Sequence, residues 1–177
     1  MNKYMWLERV QIWDTNWCLR LNHFSTDKQI ALFFKVISRL GDGWFWYALI
    51  VALAYYGGQS AYIYLMETLL VSGLGVALYK YLKQHTLRPR PYQVHQAIVL
   101  GERPLDHFSF PSGHTLHAVL FTIMLGSQWP VLLTILVPFM VLVTLSRMIL
   151  GLHYPSDVLV GAVLGASLAM SALILFV

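Results

Sequence analysis

The sequence predicts an all-α integral membrane protein, a helical bundle of about five transmembrane helices preceded by amphipathic N-terminal helices. Three observations carry that prediction. Hydrophobic residues make up 58% of the chain and charged residues only 11%, against about 25% charged in ordinary soluble domains. Long apolar segments recur and are separated by short polar turns. Those turns bring the charged and imidazole side chains to one membrane face.

The N-terminal elements are amphipathic. Trp6, Val10, Trp13, Trp17 and Leu21 recur at helical spacing, with Glu8, Gln11, Asp14 and Thr15 elsewhere around the helix. Such a helix is expected to lie at the membrane surface, where indole rings favour the headgroup level; a helix packed on the rest of the protein is the alternative. Residues 1–20 have no continuous apolar core, so insertion is expected to rely on internal segments rather than a leader. A second stripe follows in Ile30, Phe33, Phe34 and Ile37, with Lys28, Lys35 and Arg39 away from it and Thr26 or Asp27 placed to cap its start. It is too short and too charged to span comfortably, since a crossing needs about 20 apolar residues. Gly41-Asp42-Gly43 is expected to break the chain, with Asp42 capping the first crossing.

The crossings are Trp44–Tyr56 (longer if Leu40–Gly43 joins it), Ala61–Leu82, Thr115–Gly126 with a start near Ser112, Val131–Leu150, and Val158–Val177. Gly57-Gly58-Gln59-Ser60 and Ser127-Gln128-Trp129-Pro130 are tight turns and predict antiparallel hairpins. Gly161-x3-Gly165 and Ala162-x3-Ala166 give the last helix a small-residue face for close packing. With this count, the ends of the second and fourth crossings and the starts of the third and fifth share one side. Those ends carry Lys83, Arg90, His114, Arg147, His153 and Asp157. The chain is expected to form a single domain, 1–177, with interfacial helices over 1–40 and a helical core over 41–177.

Composition also excludes some classes. The net charge is +4, but several of the cations fall inside the motifs below and no basic run appears, so nucleic acid is not an expected partner. Cys18 is the single cysteine, which rules out a disulfide within the chain and a cysteine-based zinc site. No protein partner is evident. No cofactor is called for, and no ligand cluster demands a metal.

Three motifs carry the chemistry. Lys83-x6-Arg90-Pro91 comes first, then Pro111-Ser112-Gly113-His114, then Ser146-Arg147-x5-His153-x3-Asp157. A phosphoryl group in transfer spreads negative charge over its equatorial oxygens, so its catalysis is mainly positioning and electrostatic stabilisation. Lys83, Arg90 and Arg147 supply that charge, and the guanidinium fork suits bidentate phosphate contact. Pro111-Ser112-Gly113 opens a helix whose free N–H groups favour an anion. Gly113 lets the backbone approach closely, and the hydroxyls of Ser112 and Ser146 are candidate donors. His153 has Asp157 four residues on, close enough to hold one ring nitrogen and direct the other at phosphorus, which makes it the candidate nucleophile. His114, at the mouth of the third crossing, is placed to protonate the leaving oxygen and later to take a proton from water.

With these residues in place, the chain resembles the type-2 phosphatidic acid phosphatase superfamily over roughly residues 40–177. That family's pattern is Lys-x6-Arg-Pro, Pro-Ser-Gly-His and Ser-Arg-x5-His-x3-Asp, and Lys83, Arg90-Pro91, Pro111–His114, Ser146, Arg147, His153 and Asp157 match it without a substitution. The resemblance implies a metal-independent phosphatase with a helical core shared with the vanadium haloperoxidases. It implies the later histidine as nucleophile, its aspartate as orienter and the earlier histidine as acid, in agreement with the reading above. It also implies a lipid phosphate or diphosphate as substrate, undecaprenyl diphosphate or phosphatidylglycerophosphate first and lipid A 1-phosphate as a third choice. A bacterial inner membrane with the site facing the periplasm is the implied location, although the uncharged turns opposite the site would by themselves put it in the cytoplasm. A vanadate-dependent oxidant and a non-enzymatic lipid-binding or transport protein are the alternatives from other classes. The first is disfavoured because those relatives are typically soluble, the second because a binder needs neither nucleophile nor acid.

Several residues fall outside the motifs. Arg88-Pro89 is a second Arg-Pro pair out of register, and Arg88 is expected to be a loop charge rather than an anion contact. Glu67 is a carboxylate within an apolar segment and should face the bundle and find a partner or be protonated. His117, one turn after His114, either lines the same cavity or is an interior histidine with satisfied nitrogens, the latter favoured. The connector 92–110, with His95, Glu102, Arg103, Asp106 and His107, is either a lid over the headgroup or a solvated loop.

Overall fold

In a computed structural model the chain is described over residues 5–176, so the last residue of the fifth apolar segment, Val177, lies outside the described part. Eight α-helices follow one another: α1 Met5–Asn22, α2 Lys28–Arg39, α3 Phe45–Tyr56, α4 Gly58–Thr86, α5 Pro91–Val94, α6 Gly113–Gln128, α7 Leu133–Ile149 and α8 Pro155–Phe176. Among the described residues there is no strand.

Among the described residues four stretches are long and apolar enough to cross a membrane: Lys28–Tyr56, Ala61–Val94, Pro130–Ile149 and Pro155–Leu175. The first corrects the expected break at Gly41-Asp42-Gly43. A π-helical turn over Leu40–Trp44 joins α2 to α3, with Gly43 at φ 139° absorbing the kink in a region that only glycine enters freely. The short charged α2 and the short apolar α3 thus make one crossing between them. Asp27, not Thr26, caps α2, accepting from the N–H groups of Gln29 and Ile30.

The third predicted crossing differs in kind from the rest. α6 has 16 residues, so it rises only about 24 Å, short of a hydrocarbon core of about 30 Å. Leu116, Ala118, Leu120, Phe121, Met124 and Leu125 on it are all buried, which is the signature of a helix enclosed on every side. It packs against α4, α7 and α8 and forms the axis of the core, joined there by Trp46, Leu65, Leu136, Phe139, Val143 and Ala169.

The small-residue face of α8 does what the spacing predicts. A Cβ on Gly161 would come 2.5 Å from the Ser112 carbonyl oxygen, and one on Gly165 would collide with the Leu116 carbonyl. Lipid tails supply no hydrophobic drive between helices, so such close backbone approach is what holds a membrane bundle together. A backbone bond from Ser112 N–H to the Asp157 carbonyl, 3.0 Å, ties the starts of α6 and α8 at the site. At the far end of α6 the Tyr64 hydroxyl meets the Met124 carbonyl and lies 2.7 Å from Ser127 Oγ. Glu67, on the same helix as Tyr64, is half-buried and has no hydrogen bond or ion pair with a described residue.

The N-terminal helix turns its tryptophans outward and a polar stripe inward. Trp6, Trp13 and Trp17 are exposed, whereas Asp14, Cys18 and Asn22 are buried. These three sit at i, i+4 and i+8, one face of the helix, and that face docks α1 onto α7 and α8.

Candidate active site

Four helix ends meet at one end of the bundle: the C-termini of α4 and α7 and the N-termini of α6 and α8. α4 closes on Leu87 in the left-handed region, φ 48°. Arg88-Pro89-Arg90-Pro91 follows, where each proline disfavours helix in the residue before it. α7 closes through Gly151 at φ 72°, and the N–H groups of Leu152 and His153 both return to the Arg147 carbonyl, 3.0 and 3.1 Å. A Cβ on Gly151 would meet Ile98, Val99 and Asn22. His153 therefore sits on a short loop fastened at both ends.

These ends enclose a cavity of ≈ 260 Å³ lined by Lys83, Arg90, Gly113, His114, Arg147 and His153, together with Asp42 and Asp106. All three expected cations and both expected histidines are in that lining. Arg90 Nη1 lies 3.3 Å from His153 Nε2 and donates to the Leu152 carbonyl at 2.8 Å. Arg147 Nη1 donates to Ser38 Oγ on α2, and its buried Nε has no partner among the described residues. Lys83 Nζ and Arg90 Nη2 both donate to Asp106, at 2.8 and 2.7 Å. Burial works upward on the Asp106 carboxyl, but the Lys83 and Arg90 charges outweigh it and bring it below its ordinary 3.8, so Asp106 is an ionised group on the two cations.

His153 is 1% exposed. Burial first, and then the charges of Arg90, Arg147 and Lys83, hold it well below its ordinary 6.5, so its ring is neutral and Nε2 keeps a lone pair toward the cavity. Nδ1 is 3.7 Å from Asp157 Oδ2, too long for a hydrogen bond, and has no other partner among the described residues. That departs from the close hold expected of Asp157. Its oxygens are engaged instead by the Tyr154 N–H at 2.8 Å and by Arg88 Nη1 at 2.6 Å.

Arg88 is the largest departure from the sequence reading. It is no loop charge: it bridges Asp157 on one side and Asp14 of α1 on the other, 2.7 Å, and lies over the Tyr154 ring. Nothing in the Arg-Pro register announces this, because its second partner is 74 residues away.

The two serines also differ from expectation. Ser112 Oγ caps α6, accepting from the Thr115 N–H at 3.4 Å and lying 2.9 Å from Thr115 Oγ1, while Ser146 Oγ donates to the Val143 carbonyl at 2.6 Å. Both are fully buried and neither lines the cavity. Short hydroxyl side chains at helix ends and interiors bond the local backbone first, so both serve the helices that carry His114 and Arg147.

Asp42 is the cavity residue that the sequence reading missed. Far from capping a helix, its carboxylate bonds His114 Nε2 from the π-helical turn. The only signal in the sequence is its place between two glycines. His117 lines the cavity, with Nδ1 and Nε2 2.9 and 3.3 Å from the carbonyls of Gly113 and Ser72, of which a neutral ring donates to one. The 92–110 connector is folded against the site, with Leu105 and Asp106 in the cavity wall and Ile98 in a buried cluster with Cys18 and Tyr154. An adjoining cleft is lined by Ser38, Arg39, Glu102 and Arg103, and shares Asp42, Leu105 and Arg147 with the cavity. Among the described residues no three His, Cys, Asp or Glu side chains converge as metal donors.

Membrane-length helices with a cationic, two-histidine cavity at one end define an integral membrane protein with a site suited to an anion. Comparison with known proteins gives the family: residues 44–177 match the PAP2 superfamily, and the chain belongs to it. The crystal structure of LpxE from Aquifex aeolicus superposes with a TM-score of 0.76 at 27% identity, covering 88% of this chain and 92% of that one. A transmembrane PAP2-type phosphatidylglycerolphosphate phosphatase from Bacillus subtilis gives 0.74 at 27% identity, over 93% and 84%. Decaprenylphosphoryl-5-phosphoribose phosphatase of Mycobacterium tuberculosis is 38% identical over 103 residues. That match spans 55% of this chain and 55% of the relative, about half the length of each.

Proposed function

We propose that this protein is a metal-independent lipid phosphatase that removes a terminal phosphate through a phosphohistidine on His153. One observation carries the reading: Lys83, Arg90 and Arg147 converge with His114 and the neutral Nε2 of His153 on one cavity. In the first step Nε2 attacks phosphorus and the bond to the leaving oxygen breaks, while His114 delivers a proton to that oxygen. Asp42 holds Nε2 of His114, leaving its Nδ1 for the substrate side. In the second step water, giving a proton to His114, hydrolyses the phosphorus–nitrogen bond. The three cations match the equatorial oxygens throughout, and the backbone at Gly113 adds N–H groups at the start of α6. The carboxylate of Asp106 takes the place of phosphate oxygens on Lys83 and Arg90, so substrate displaces it on entry. Ser112, Ser146 and Asp157 act behind the cavity lining.

The substrate we assign is a lipid whose leaving group itself carries a phosphate, such as undecaprenyl diphosphate or phosphatidylglycerophosphate, with lipid A 1-phosphate the next choice. The adjoining cleft supports this, since Arg39, Arg103 and Arg147 line a space next to the scissile position. The names of the relatives are consistent with it. We place the protein in a bacterial inner membrane with the site toward the periplasm. The test is phosphate release by detergent-purified protein in EDTA from undecaprenyl diphosphate, phosphatidylglycerophosphate, lipid A and phosphatidic acid. Release that is lost in His153→Ala, and is faster from the first two, supports the reading; release that requires an added metal, or that survives in the variant, overturns it.

A further inference from the structure

The catalytic reading uses residues from the π-helical turn onward, yet the nucleophile's loop is gripped by a helix that lies outside the family match, which begins at residue 44. Three buried residues of α1 each bond it. Asn22 Nδ2 donates to the Ile149 carbonyl at 2.9 Å. Cys18 Sγ donates to the His153 carbonyl at 3.5 Å; burial, with the charges of Asp14 and Asp157 behind it, pushes this thiol up to about 12 and keeps it protonated. Asp14 accepts from the Ser156 N–H at 2.9 Å and from Ser156 Oγ at 2.5 Å.

Asp14 does more than dock the helix. Its Oδ2 also takes Arg88 Nη2 at 2.7 Å, while Nη1 of the same guanidinium goes to Asp157 at 2.6 Å. Both carboxylates are 0% exposed. A buried charge left without a partner is costly, and a buried carboxylate wholly claimed by one cation is a poor acceptor for any other. Sharing one guanidinium between two carboxylates leaves the group with a net negative charge on the side of Asp157 that faces His153.

We propose that Asp14 is a positioning residue for the phosphoryl transfer: by holding Arg88 it fixes Asp157 in place to meet the imidazolium that forms on His153. This rests on His153 being the nucleophile. When Nε2 bonds phosphorus the ring becomes cationic, and Asp157, 3.7 Å from Nδ1, is the carboxylate that meets the new charge. α1 is then part of the catalytic apparatus, acting through Arg88 and Asp157 without touching the substrate.

The experiment compares Asp14→Asn with Asn22→Ala in the full-length protein, purified in detergent, with substrate turnover and rapid-quench trapping of radiolabelled phosphoenzyme. The asparagine keeps an oxygen for the Ser156 N–H and so keeps α1 docked, but removes the charge. Asn22→Ala loosens α1 from the same loop and leaves every charge in place. Asp14→Asn is expected to lower kcat and the rate of phosphoenzyme formation about 10–100-fold, with KM within about twofold. Asn22→Ala is expected to lower the melting temperature and, well below it, to keep kcat within about threefold. A folded Asp14→Asn protein with wild-type kcat overturns the proposal, and so does an equal fall in kcat for both variants, which would make docking the whole effect. If the wild-type protein releases phosphate but forms no trapped phosphoenzyme, the phosphohistidine reading fails, separately from the role of Asp14.

Discussion

The two imidazoles of the cavity are held in opposite ways. His153 has its carboxylate four residues on, yet Asp157 stands 3.7 Å away with its oxygens given to Arg88 and a backbone N–H. His114 has its carboxylate 72 residues back in the chain, yet Asp42 bonds its ring directly. The contrast fits the two jobs proposed for them. A nucleophile has to be neutral before it attacks and needs its counter-charge only afterwards, so a carboxylate at a slight distance suffices. An acid has to present one proton in a fixed direction, and a carboxylate on its other nitrogen fixes both tautomer and orientation.

The strongest way to break this comparison is to remove the nucleophile. His153→Ala should lower turnover by at least about 10³-fold on every lipid substrate, measured as phosphate release; a variant that keeps a tenth of the rate would leave no room for a phosphohistidine. His114→Ala should cost about 10²–10⁴-fold on alkyl phosphates and far less on an aryl phosphate, whose leaving oxygen needs no proton. An equal loss on both substrates would deny His114 the acid role. Asp42→Asn should show the same leaving-group pattern at a smaller scale, about tenfold; a uniform effect would make Asp42 a structural residue of the π-helical turn. Asp106→Asn should tighten binding of phosphate or vanadate several-fold, about one lost charge–charge competitor, read as a lower inhibition constant. Weaker binding would instead make Asp106 a prop for Lys83 and Arg90.

The smallest effect is on stability against pH. His153 is held below its ordinary 6.5 in the folded protein, so below that pH the unfolded chain takes up a proton that the folded chain refuses. Its contribution is therefore complete above about pH 6.5 and is lost progressively as pH falls. Melting in detergent between pH 7 and 5 should fall more steeply for the wild type than for His153→Gln. Parallel curves would mean that the ring protonates in the folded state.

How much of this was legible follows from how far each interaction reaches along the chain. Lys83, Arg90, His114, Arg147 and His153 were readable because hydropathy sets which helix ends meet, and motif spacing sets which residues sit there. Asp42 and Arg88 were misjudged because their partners come from elsewhere: Asp42 pairs across 72 positions and Arg88 across 74. Periodicity assigns a face to a helix but does not say whether that face meets lipid or protein. In α1 the tryptophans are the outward side, while the inward stripe of Asp14, Cys18 and Asn22 looked like ordinary polar punctuation. Ser112 and Ser146 stood in the right motifs, and only the geometry showed that the local backbone claims their hydroxyls.

The approach of α8 to α6 has a consequence for how such an enzyme diversifies. His114, the proposed acid, rides on the first turn of α6, and His153, the proposed nucleophile, on the loop that enters α8. The gap between them is gauged by bare backbone: Gly161 against the Ser112 carbonyl, Gly165 against that of Leu116, and the backbone hydrogen bond from Ser112 N–H to the Asp157 carbonyl. No side chain of the substrate cleft takes part in that gauge. The cleft walls on α2 and the 92–110 connector can therefore be rebuilt for a new headgroup while the reacting distance stays put, so that selectivity and chemistry drift on separate tracks within one small chain.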